Sequence, residues 1–265
     1  MKKSQLILLV AAVLCCAAAS VSCKKDSNDN NVAAMIMGKW IAADCDGQPF
    51  ETNEKVVLHF VSTTKAYMSA SFSHNPAAGE PWIHQEEEKV VIAGNKVSLS
   101  NNSDAHTSVE NVFDEIDIND KEFSANMRFT LMVDGKIVLA KHYKVRFLRV
   151  ETDYVESIIG TWQGRCTSGS SAFDDGQEHR WEYLSDGSFV YYVKDGDKWV
   201  PVQDTLSEYF VAGNLLCCRW GSGGQENREW WEVAINGSKM NWTALRKNKD
   251  GSAFTVTFEM NRVLQ

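Results

Sequence analysis

Histidines, carboxylates and tryptophans are the side chains of this chain that could do chemistry. Five of its six histidines, His59, His74, His84, His106 and His142, lie in the first half. No two of them share the i, i+4 spacing of a helical zinc site, and no His-Glu-x-x-His occurs. His84 stands beside Glu86, Glu87 and Glu88. That cluster reads as a divalent-ion site or, more simply, as a solvated loop or edge strand. The serines lack a Gly-x-Ser-x-Gly elbow. Gly221-Ser222-Gly223-Gly224 lacks the lysine of a phosphate-binding loop. The reading is therefore of a non-enzyme: no catalytic residue, no metal site and no cofactor is expected.

Aromatic rings offer the other chemistry, which is stacking on a ligand. Seven of nine tryptophans fall in the second half: Trp162, Trp181, Trp199, Trp220, Trp230, Trp231 and Trp242. On a strand, Trp181 and Tyr183 share one face, as do Tyr191 and Val193, while Trp230 and Trp231 face opposite ways. Large rings can simply fill a small barrel. The sharper expectation is a ligand site drawn from Trp181, Tyr183, Tyr191, Trp199, Trp220, Trp230 and Trp231. An apolar molecule would sit inside the barrel, or a sugar would stack outside on Trp199 and on whichever of Trp230 and Trp231 points outward.

These residues need elements to hold them, and the sequence supplies strands. Asp186-Gly187, Asp195-Gly196, Asn236-Gly237 and Asp250-Gly251 separate β-rich runs. Such pairs provide the positive φ of two-residue hairpins. In the last run Phe254, Val256, Phe258, Met260 and Arg262 alternate with Thr255, Thr257, Glu259 and Asn261, so one face is buried. Tyr143, Val145, Phe147 and Arg149 make the equivalent set in the first half. Both arginines therefore point to the apolar side, where a charge needs a partner or an aromatic face.

The chain also repeats itself. Gly38-Lys39-Trp40 matches Gly160-Thr161-Trp162, and Ile92-Ala93-Gly94-Asn95 matches Val211-Ala212-Gly213-Asn214. Glu115-Ile116-Asp117-Ile118-Asn119 matches Glu232-Val233-Ala234-Ile235-Asn236, and the terminal Arg149-Val150 matches Arg262-Val263. The order is the same in both halves. Two similar units are predicted, at residues 33–152 and 153–265, each with a short helical turn ahead of its Gly-x-Trp.

Gly-x-Trp on a first strand with an arginine ending the last strand resembles the calycin and lipocalin signature. The resemblance covers nearly all of residues 33–265, twice over. It implies an all-β fold of two tandem antiparallel up-and-down barrels. It also implies that Trp40 packs with Arg149, and Trp162 with Arg262, as closure residues rather than ligand contacts. The units are shorter than those of long secreted lipocalins, and the family's other motifs are absent. They look closest to the lipocalin-like domains of Bacteroidetes lipoproteins.

Residues 1–22 fit a secretory signal, with Lys2 and Lys3 ahead of a short apolar core and small residues before the cut. The apolar run is shorter than the roughly 20 residues of a spanning helix. Val21-Ser22-Cys23 resembles a lipobox, which implies a lipid on Cys23. Cleavage near Ala19, with Cys23 a spectator, is the alternative. Residues 23–32 then form a polar tether. Without residues 1–22 the chain keeps 243 residues, and its net charge of −8 becomes −10. That sign argues against nucleic acid as a partner. Cys45, Cys166, Cys217 and Cys218 remain; Cys166 could pair with either neighbour of the Cys217–Cys218 pair, or all four are buried thiols. The expectation is an exported protein anchored to the outer membrane by its acyl chains, binding a small apolar or amphipathic ligand. The alternative is a surface protein that binds glycan or another partner.

Overall fold

Asp134 and Gly135 both adopt left-handed backbone, φ 50° and 71°, so β-rich runs on either side fold back as a hairpin. Repetition of this device builds the whole molecule. The computed structural model describes residues 32–71, 82–102, 104–168, 176–248 and 250–264. The segment expected to be a signal, Cys23 and nearly all of the expected tether lie outside the described residues.

A single helical turn, α1 (Val32–Met35), precedes β1 (Gly38–Cys45) and the short β2 (Gln48–Pro49). A 3-10 turn (Thr52–Glu54) leads into β3 (Val56–Ser62), β4 (Lys65–Ser71), β5 (Trp82–Ala93) and β6 (Lys96–Asn102). Three longer strands complete the unit: β7 (Thr107–Ile118), β8 (Glu122–Val133) and β9 (Lys136–Arg149). β1 pairs antiparallel with β2 and β3, each strand from β3 onward pairs antiparallel with the next, and β9 returns to β1 from Trp40↔Arg149 to Cys45↔Val145. The sheet therefore closes into an eight-stranded barrel, with β2 an appendage. Trp40, Leu58, Phe60, Leu99, Phe113, Phe123 and Phe147 fill its interior.

The second unit runs through β10 (Gly160–Ser168), β11 (His179–Tyr183), β12 (Phe189–Asp195) and β13 (Lys198–Pro201). It continues with β14 (Leu206–Ala212), β15 (Leu215–Gly221), β16 (Asn227–Asn236), β17 (Lys239–Lys247) and β18 (Ala253–Arg262). β10 pairs with both β11 and β18, but the sheet ends at β13 and β14 do not pair. One bridge, Ser188↔Glu208, ties the start of β12 to β14. Beyond it β13 folds back on β12, through Val193↔Val200 and Lys194↔Trp199. The second sheet is thus a barrel with an open seam. The two sheets fit a tandem calycin-like arrangement.

The Gly-x-Trp and arginine pair seals one end of each sheet. The Arg149 guanidinium lies 4.1 Å from the Trp40 ring centroid and donates to the Met35, Met37 and Asp120 carbonyls. Arg262 lies 4.2 Å from Trp162 and donates to the Ser157 and Ile159 carbonyls at 2.6 Å. Each Trp donates its indole N–H to a carbonyl of the preceding turn, Ile36 and Ile158. The glycine is needed because a Cβ on Gly160, at φ 122°, would sit 2.6 Å from Arg262 Nη1.

A third apolar layer joins the two units. Ile41 and Val57 point out of the first barrel and meet Phe210, Ala212, Leu215, Cys217 and Trp230, which point out of the second. Trp82 and Val150 pack against the rim of this layer. Phe210 stacks on His84 at 4.6 Å and meets Trp82 edge-on at 4.8 Å. Ion pairs Lys55–Glu232 and Lys39–Asp153 flank it, and the Leu245 N–H donates to Thr52 Oγ1 at 2.9 Å. Burial of a strand on both faces explains the unbroken apolar run from Leu215 to Cys218: alternate residues serve two different cores.

Candidate functional site at the open end of the second barrel

The period-two pattern places Trp181 and His179 of β11, Tyr191 and Val193 of β12, Trp220 of β15, Trp231 of β16 and Trp242 of β17 on the inner face. Tyr183, Trp231, Trp242 and Phe258 are buried in the core. Trp181, Tyr191, Tyr209, Trp220 and Phe254 pack on that core but are only partly covered. The result is a column of rings leading toward solvent. Trp181 lies 4.7 Å from Trp242 and 5.2 Å from Tyr191, and Trp242 lies 5.4 Å from Trp231. These spacings are those of favourable tilted and edge-on pairs. His179 stacks beside Trp181 at 5.4 Å, and its Nδ1 is 2.9 Å from the Tyr191 hydroxyl.

Burial leaves polar atoms of this inner face unsatisfied. Trp242 is 3% exposed, and its Nε1–H has no acceptor among the described residues. A buried donor without a partner costs about 1–3 kcal/mol. The Tyr183 hydroxyl, just as deep, has no hydrogen-bond partner among the described residues either, and burial pushes its ionisation, like that of the neighbouring Cys218 thiol, well above the ordinary range.

The other rings expected at a site are placed differently. Trp230 does point out of its barrel, yet it is 0% exposed, because the first barrel covers it. It therefore cannot be an outer sugar platform. Trp231 points inward. Trp199 lies on the outer face of β13, half-buried, with the Arg180 guanidinium 4.5 Å from its ring and Lys194 at 5.8 Å. Trp40, Arg149, Trp162 and Arg262 sit at the sealed ends, away from the open column.

The Glu86–Glu88 cluster is not a loop: it belongs to β5 and pairs with β4 from Met68↔Glu86 to Ala66↔Glu88, whereas the pairing of β5 with β6 begins at Lys89. Glu88 points inward, is 2% exposed, and accepts from Asn101 Nδ2 at 2.5 Å. Burial, with Glu86 adding to it, pushes its carboxyl up to about 7. Sequence reading missed it because charges occupy three successive positions, so no alternation reveals which one faces in. Gln85, at φ 54°, and a register shift between Met68 and Ala70 set that phase. Among the described residues no three His, Cys, Asp or Glu side chains are grouped to hold a metal ion. The four cysteines are buried free thiols.

Two surface depressions lie away from the aromatic column. One, of about 610 Å³, is bounded by Ala33, Thr63, Thr64, Val91 and Gly94. The other, of about 330 Å³, lies on the outer wall at Gln163, Arg165, Glu178, Glu259 and Asn261.

No protein-family model matches the chain, and no curated protein does. A crystal structure from Nostoc punctiforme, a DUF3598-family protein of unknown function, aligns over 87% of this chain and 97% of its own. Its identity is 8% and its TM-score 0.22, a likeness that carries no argument about either protein's role.

Proposed function

We propose that this chain is an exported, lipid-tethered binding protein with no enzymatic activity, a tandem lipocalin-like lipoprotein of the Bacteroidetes type. Its ligand is a small apolar or amphipathic molecule held at the open end of the second barrel. The observation that carries this reading is the column of partly covered rings leading to the unsatisfied Trp242 N–H. An apolar body gains about 25 cal/mol per Å² of area buried there. An acceptor atom on the ligand restores the missing hydrogen bond. Entry requires Trp181 and Tyr191 to swing outward, toward the seam that β13 leaves open. The tether reading is supported by the signal-like residues 1–22 and by Cys23, which would carry the lipid at the outer membrane.

Native mass spectrometry of protein purified from its host extract tests the binding reading. A bound small molecule is expected in the wild type and lost in Trp181→Ala. A wild type that retains nothing, and takes up no apolar probe, would sink it. Radiolabelled palmitate should enter the wild type and not Cys23→Ala.

A second reading, glycan binding on the outer wall, rests on Trp199 and on the polar depression at Gln163, Arg165, Glu259 and Asn261. It loses Trp230, and one face of Trp199 is already stacked by Arg180.

A further inference from the structure

A second buried donor shares the inner face of β17 with Trp242. Arg246 is 4% exposed and lies four residues along the strand, about 13 Å at ~3.3 Å per residue. Its pairing places it toward the open end, opposite Phe254, whereas Trp242 lies deeper, opposite Phe258. Nη2 of Arg246 donates to Glu229 at 3.1 Å and to the Trp230 carbonyl at 3.0 Å, and Nη1 reaches the Leu245 carbonyl at 3.5 Å. Its Nε–H has no acceptor among the described residues. Trp231 lies between the two donors: its ring is 5.4 Å from Trp242 and 5.3 Å from the Arg246 guanidinium. The barrel interior thus holds two unsatisfied N–H groups separated by one flat aromatic surface.

From this arrangement we infer the chemical class of the ligand, an inference that rests on the proposed binding site. The ligand is a flat, uncharged molecule with a hydrogen-bond acceptor at each end of an apolar body. The body lies against the partly covered Trp181 and Tyr191 rings. The inner acceptor takes the Trp242 N–H, and the outer one takes the Arg246 Nε–H. Flatness follows from the ring-lined column, where a planar body keeps contact on both faces. Neutrality follows from Glu229, which already balances the Arg246 charge and would repel a carboxylate placed beside it. Two buried donors without partners among the described residues give specificity as well as affinity. A ligand without the matching oxygens leaves them unpaired.

The experiment is a Trp-fluorescence titration of the full chain with three probes that share one body: naphthalene, 2-acetylnaphthalene and 2,6-diacetylnaphthalene. Each added carbonyl should tighten Kd about fivefold, the effect of one ordinary hydrogen bond. Trp242→Phe keeps the ring and should abolish one of the two steps. Arg246→Lys keeps the pairing with Glu229 and should abolish the other. 6-Acetyl-2-naphthoate should bind more weakly than the diketone. Equal Kd values for the three neutral probes would overturn the two-acceptor ligand and leave the aromatic site standing. Tighter binding of the naphthoate would overturn its neutrality. Absence of binding by all probes would overturn the site itself and this inference with it. The wild-type series decides these outcomes even if a variant fails to fold.

Discussion

Glu88→Gln should stabilise the protein at neutral and alkaline pH and leave it unchanged in acid. The side chain is almost wholly buried, and its carboxyl titrates near 7 in the folded barrel against 4.5 for an ordinary glutamate. The folded state therefore binds a proton more tightly than the unfolded state. Between pH 4.5 and 7 it holds that proton while the unfolded chain has lost it, so stability falls as pH rises through this window. At ~1.4 kcal/mol per pH unit, the loss amounts to about 3 kcal/mol once pH exceeds 7. Glutamine has nearly the same shape, and its carbonyl can accept from Asn101 as Glu88 does. It carries no titrating proton, so it escapes the loss. Urea unfolding of both proteins at pH 4, 6 and 8 gives the measurement. The advantage of the variant should grow from near zero at pH 4 to about 3 kcal/mol at pH 8. Glu54, which burial also raises, is present in both proteins and cancels in the difference. A stability difference that is flat across this range would refute the buried, protonated Glu88.

Trp230→Ala should cost about 3–5 kcal/mol, the usual loss for emptying a large aromatic site, although the residue touches neither barrel interior. Limited proteolysis should then cut between the two units at residues 151–159 faster than in the wild type. Arg262→Lys should cost about 1–2 kcal/mol, because a lysine cannot bond the Ser157 and Ile159 carbonyls as a fork while stacking on Trp162. Thermal unfolding followed by near-UV circular dichroism measures it, and an unchanged midpoint would contradict the closure role.

Much of this architecture could be read before any coordinates. The doubled Gly-x-Trp, the terminal arginines and the alternation from Phe254 to Arg262 are local patterns, and each reports directly on which side of a strand is buried. What stayed illegible was set by contacts between distant segments. Nothing near Trp230 in sequence shows that Ile41 and Val57 will cover it. The inner position of Glu88 depends on a register shift against β4. The open seam depends on β13 pairing back on β12 instead of letting β14 zip along it. The aromatic site was legible as a composition but not as a place: Trp181 and Tyr191 line the column, Trp199 faces outward, and Trp242 was not singled out at all.

The apolar outer wall of the second barrel also bears on how the chain is made. Synthesis runs from the first unit to the second, so Ile41 and Val57 can be in place before Phe210, Leu215 and Trp230 leave the ribosome. The first barrel closes on itself and exposes little of this layer while it waits. The second has unpaired strand ends and carries the larger share of the layer, the features that invite aggregation in a partly folded chain. The order of the two units thus gives the vulnerable one a ready-made cover. Reversed, the same two units would leave that wall bare for the time needed to build a whole barrel.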